Sequence, residues 1–162
     1  KVLVAYYSAT GNTKAAAETI ADAAGGELFE LQPAEAYTTE DLDYNDPESR
    51  VCKEHEDPDL QDVKLEEVTP ESFSNADVVF LGYPIWWGEA AWPVNEFVKE
   101  NDFTGKTVIP FCTSASSSLG DSGENLAEMA GTGEWQEGKR FSSGAAEEEI
   151  RNWIGSLDLS AK

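Results

Sequence analysis

Val2-Leu3-Val4-Ala5-Tyr6-Tyr7-Ser8-Ala9-Thr10-Gly11-Asn12-Thr13 begins as an apolar run and ends in a hydroxyl-rich turn. An alanine-rich pattern with helical spacing follows through Ala24. A strand that enters a helix through such a turn is an anion-binding device. The first helical N–H groups have no intrahelical partner, the dipole is positive there, and Ser and Thr hydroxyls add hydrogen bonds. Taken alone, the stretch is equally an ordinary strand–turn–helix with good capping residues. It is not a Walker A loop, because GxxxxGK[ST] is absent. Nor is it the dinucleotide fingerprint, since Gly11 is its only glycine.

The rest of the chain limits what such a turn can serve. At 162 residues the chain reads as a single domain, 1–162, with one sizeable core. A formal net charge of −21 argues against nucleic acid and against an anionic membrane surface. It favours a partner with a basic surface. Cys52 and Cys112 lie far apart with no CxxC spacing, and His55 is the only histidine, too few ligands for a zinc or iron–sulfur site. Free thiols in a reducing, cytoplasmic setting are the expectation, with an upstream signal or anchor before Lys1 left open. No apolar stretch reaches transmembrane length.

Apolar segments alternate in type along the chain. Strand patterns fall at residues 2–7, 27–31, 76–82, 107–111 and around Arg140-Phe141, the last beginning near Trp135. Helical patterns fall at residues 13–24, from Pro93, from a capping box at Asp121-Ser122-Gly123-Glu124 to about Ala130, and at the end. The final helix has three glutamates in its first turn and an apolar stripe of Ile150, Trp153, Ile154 and Leu157. This alternation predicts an α/β sandwich around a parallel sheet. Pro110 is awkward in a central strand, and a bulge or a strand end there would accommodate it. Residues 35–71 hold fourteen Asp and Glu against Arg50, Lys53 and Lys64. They read as an extended acidic connection with at most a short helix, its charge a solvated face or a docking surface.

Two further segments follow predicted strands. Tyr83-Pro84-Ile85-Trp86-Trp87-Gly88-Glu89 reads as a loop with adjacent tryptophans, and Trp92 follows. Such rings suit stacking on a flat heteroaromatic ligand, although one of the pair is expected to pack inward. Gly88 permits a reoriented peptide. Cys112-Thr113-Ser114-Ala115-Ser116-Ser117-Ser118-Leu119-Gly120 reads as a second loop whose small residues allow close backbone approach. In an open α/β sheet, ligands bind beyond the carboxyl ends of the strands where strand order reverses. The three segments together describe a site for a mononucleotide with a flat ring.

On Tyr7–Thr13, Gly82–Gly88 and Phe111–Ser114 the chain resembles the flavodoxin family, in a less-studied bacterial-type branch. The resemblance implies a flavodoxin-like three-layer α/β sandwich on a five-stranded parallel sheet of order 2-1-3-4-5. It also implies FMN as cofactor and the shuttling of low-potential electrons between redox partner proteins. By position, Ser8, Thr10, Gly11, Asn12 and Thr13 would hold the phosphate. Pro84, Ile85, Trp86, Trp87 and Gly88 would border the isoalloxazine, and Thr113, Ser114 and Gly120 would line its other side. Asp121 is either near the ring or only a helix cap. The absence of an aromatic from 112–120 implies a more open ring face than most relatives present. An FMN-dependent NAD(P)H:quinone-type oxidoreductase is the alternative on the same fold. The lack of Lys and Arg in the candidate loops weighs against it.

Overall fold

The opening apolar run forms β1 (Val2–Tyr6), and its alternate side chains go to opposite faces of a sheet. Val4 and Tyr6 pack under two helices, α1 (Asn12–Ala24) and α5 (Glu147–Ser156), which supply Ala16, Ala17, Ile20, Ile150 and Ile154. Leu3, Ala5 and Tyr7 belong to the other core. There α3 (Pro93–Glu100) contributes Val94, Phe97 and Val98, and α4 (Ser122–Ala130) contributes Leu126. The computed structural model describes residues 2–8, 11–35, 37–43, 45–61, 63–86, 89–114, 122–136, 138–142 and 147–156. None of its described helices is long and apolar enough to cross a membrane.

Between the helical layers lies a parallel sheet. β2 (Glu27–Glu30) and β3 (Val78–Trp86) flank β1, and β5 (Thr107–Ser114) pairs with the far side of β3. The outer neighbour of β5 comes in two pieces, β6 (Glu134–Trp135) and β7 (Lys139–Ser142), both parallel to it. Counting that pair as one position, the five positions follow the expected order 2-1-3-4-5. β4 (Glu89–Ala90) is an addition, antiparallel to the end of β3.

The break in the fifth strand accounts for Pro110. Trp135 pairs with Val108 and Lys139 with Phe111, so the register advances four residues along the outer strand for three along β5. That count is the one a bulge produces. Gly138 fits there because a Cβ would lie 2.1 Å from the Pro110 carbonyl oxygen.

Two expectations require correction. Tyr83-Pro84-Ile85-Trp86 is not loop but the last part of β3, and Cys112-Thr113-Ser114 is the last part of β5. Tyr83 pairs with Cys112 and Pro84 with Thr113, so the two strands extend each other beyond the apolar runs. The acidic connection contains α2 (Arg50–Glu56) and a 3-10 turn at Pro58–Gln61, with another at Glu71–Asn75. Its ends are clipped together: the Ala34 N–H donates to the Lys64 carbonyl at 2.7 Å, and the Glu66 N–H to the Gln32 carbonyl at 2.8 Å.

Candidate functional site at the carboxyl edge of the sheet

β1, β3 and β5 end side by side, and the chain leaves β1 for β2 on one flank before crossing to β3 on the other. The switch point therefore lies between β1 and β3. Beyond β1, the Gly11 N–H donates to Ser8 Oγ at 3.0 Å. Gly11 is the N-cap of α1 with φ 96°, the left-handed region in which glycine is unstrained. Among the described residues no side-chain cap is seen at Gly11, and the first turn of α1 carries no acidic residue. In a chain so rich in Asp and Glu, no carboxylate stands in that turn to repel an external anion at the positive end of the α1 dipole. The buried Thr13 hydroxyl meets the Thr113 hydroxyl at 2.7 Å, joining the start of α1 to the end of β5. A cavity of about 240 Å³ lies beside α1, lined by Asn12, Glu18, Thr113, Ser142 and Glu147 among others. Ser8, Gly11, Asn12, Thr13 and Thr113 are thus brought to one edge, with Ser114 next along β5. Thr10, Trp87, Gly88, Gly120 and Asp121 lie outside the described residues.

Pro84, Ile85 and Trp86 close β3 and are each half-buried. The Trp86 ring meets Tyr7, Tyr37 and Trp92 edge-on, with centroids 5.8, 5.6 and 4.9 Å away. Trp92 itself is buried at the start of α3. Its indole Nε1 donates to Glu54 Oε1 at 2.8 Å, and the Tyr37 hydroxyl donates to the same oxygen at 2.5 Å. Arg50 Nε donates to Glu54 Oε2 at 3.0 Å, while its guanidinium carbon stands 3.8 Å from the Tyr37 ring centroid. His55 stacks on Trp92. Burial pushes the Tyr7 and Tyr37 phenols well above their ordinary range, and the bond to Glu54 adds to the Tyr37 shift. Both remain protonated at any physiological pH.

On the β5 side, Arg140 of β7 donates from Nε to Ser114 Oγ at 2.9 Å and from Nη2 to the Ser114 carbonyl at 3.0 Å. Burial pushes the Cys112 thiol up to about 12, with Arg140 pulling the other way. Behind it the Tyr83 and Ser122 hydroxyls share a buried bond of 2.9 Å.

Sequence reasoning missed Tyr37, Arg50, Glu54 and Arg140. Arg50 and Glu54 did carry a signal, the i,i+4 spacing of an ion pair on a helix that Ser49 caps. Arg140 carried none, because its contact crosses two parallel strands.

An open parallel sheet with a hydroxyl turn and an aromatic strand end at its switch point defines a flavodoxin-like domain. The Flavodoxin family profile matches residues 1–157, and the chain belongs to that family. It is similar to two solved proteins provisionally described as flavoproteins. One, from Bacteroides eggerthii, is 40% identical with a TM-score of 0.87, covering 98% of each chain. The other, from Bacteroides uniformis, is also 40% identical with a TM-score of 0.89, covering 96% of this chain and 98% of its own. A flavoprotein from Lactobacillus acidophilus, solved in complex with FMN, shares the fold at 21% identity and a TM-score of 0.70, covering 94% and 97%. No curated protein matches the chain.

Proposed function

We propose that the chain binds FMN at the carboxyl edge of β1, β3 and β5 and carries single electrons between partner proteins. The observation that carries this reading is the N-terminus of α1, with no acidic residue in its first turn, beside the Gly11–Ser8 hydrogen bond at the end of β1. FMN is supported by the family and by the FMN complex of the Lactobacillus acidophilus protein. Once bound, FMN supplies reversible one- and two-electron chemistry.

The chain's own residues do the rest. Ser8, Thr10, Gly11, Asn12 and Thr13 bind the phosphate through hydroxyls and backbone amides, which need no lysine. Pro84, Ile85, Trp86, Trp87 and Gly88 border one side of the ring, and the Trp86 indole excludes water there. Thr113, Ser114 and Gly120 line the other side, where Arg140 fixes Ser114 from below. The surrounding negative charge disfavours adding more, which sets a low potential for a bound electron acceptor. The same charge steers the protein to redox partners with a basic docking surface.

Arg140 favours a second reading, an FMN-dependent NAD(P)H:quinone-type oxidoreductase, since it puts a guanidinium at an edge whose loops contain none. Photoreduction of the FMN-loaded protein, followed by absorbance, separates the two. The carrier reading expects two spectrally distinct one-electron stages and no bleaching by NADPH alone. A single two-electron stage with rapid bleaching by NADPH would overturn it.

A further inference from the structure

Trp86 is a large, half-exposed ring at the end of β3, and its indole N–H makes no hydrogen bond among the described residues. Its orientation rests on the edges of three aromatic rings. Their planes stand at 85° for Tyr7, 62° for Tyr37 and 73° for Trp92. Tyr7 is held by the backbone at the end of β1, where its N–H donates to the Gly82 carbonyl at 3.0 Å. Tyr37 and Trp92 come from different parts of the chain, and one carboxylate oxygen, Glu54 Oε1, accepts from both. Glu54 is only 6% exposed. Burying a carboxylate is unfavourable unless it is paired and hydrogen-bonded throughout. Here Arg50 neutralises it through the second oxygen and lies over the outer face of Tyr37. The Gln61 side-chain amide also donates to the Glu54 carbonyl at 3.0 Å, tying the next turn to the same residue.

We propose that Glu54 is a positioning residue for the cofactor wall: by holding the Tyr37 hydroxyl and the Trp92 indole together, it fixes the Trp86 ring. The acidic connection therefore builds part of the site as well as presenting charge to solvent. A well-packed apolar residue in place of Glu54 would leave both donors without an acceptor, so the carboxylate is retained for orientation rather than for burial energy. The inference rests on the FMN reading only for what Trp86 faces, not for how Trp86 is held.

Fluorine NMR of the FMN-free protein labelled with fluorotryptophan tests it, with the Trp86 signal assigned by Trp86→Phe. In Glu54→Gln one oxygen becomes an NH2 donor that faces either the Arg50 guanidinium or the Tyr37 and Trp92 donors, and either conflict loosens the cluster; in Tyr37→Phe one hydroxyl is lost. Both variants are expected to shift or broaden the Trp86 signal and leave Trp135 and Trp153 in place. With FMN added, Glu54→Gln is expected to bind about tenfold more weakly and to alter the visible circular dichroism of the bound flavin. An unmoved Trp86 signal in both variants, or all tryptophan signals moving together, would overturn the proposal. If Glu54→Gln does not fold, Tyr37→Phe carries the same readout. If the unmodified protein takes up no FMN, the proposed function falls, and the fluorine signals alone decide the positioning role.

Discussion

At Gly11 a Cβ would meet nothing within 4 Å, yet φ is +96°, so an alanine there would suffer from conformation and not from crowding. Gly11→Ala is expected to lower the unfolding free energy by about 1 kcal/mol in a urea titration. Cys112 offers a test with a pH sign. Its thiol is raised from an ordinary value of 9.0 to about 12 because burial disfavours the thiolate. A raised value in the folded state means that its contribution is complete below pH 9 and is lost as pH climbs toward about 12. Cys112→Ala should therefore flatten the decline of stability across that window, read from unfolding curves at several alkaline pH values. At neutral pH a thiol reagent should modify the half-buried Cys52 in the native protein and spare Cys112.

The elements differ in how plainly the sequence announces them, and each difference has a physical source. β1 and α1 were legible because a continuous apolar run gives way abruptly to alanines at helical spacing. The carboxyl ends of β3 and β5 were not, since they become strand through their partners: Tyr83 and Pro84 pair with Cys112 and Thr113, Ile85 and Trp86 with β4, and Cys112–Ser114 with β7 as well. Pattern reading stops where polarity begins, whereas a ladder continues as long as a partner is present. The same limit hid the site's second half. Ser8, Asn12, Thr13 and Thr113 lie on recognisable motifs, but Glu54 is buried by tertiary contacts within a segment whose composition reads as solvated. The interruption between β6 and β7 was anticipated at Pro110 as a bulge or a strand end, but not as a break in the neighbouring strand. Gly138→Ala tests that bulge directly, because its Cβ would strike a backbone oxygen that cannot rotate away. The expected loss is about 1–3 kcal/mol of stability, with weakened amide-exchange protection in Lys139–Ser142.

For the whole molecule, charge and fold act on different functions. The parallel sheet brings three strand ends together, and the net charge of −21 governs which molecules approach them. If exposed residues of 35–71 guide a basic redox partner, reversing Glu40 and Glu56 to lysine should slow electron transfer at low salt. The difference from the unmodified protein should vanish near 1 M salt, where screening acts over about 3 Å. An unchanged salt dependence would remove that segment from docking. A narrower prediction concerns the phosphate, which the proposed function gives to the N-terminus of α1, hydroxyls and amides with no lysine. Calorimetric titration with FMN and with riboflavin, which lacks the phosphate, measures this contribution in one comparison. Two or three hydrogen bonds to a charged phosphate correspond to FMN binding at least about a hundredfold more tightly than riboflavin. Equal affinities for the two would contradict the account.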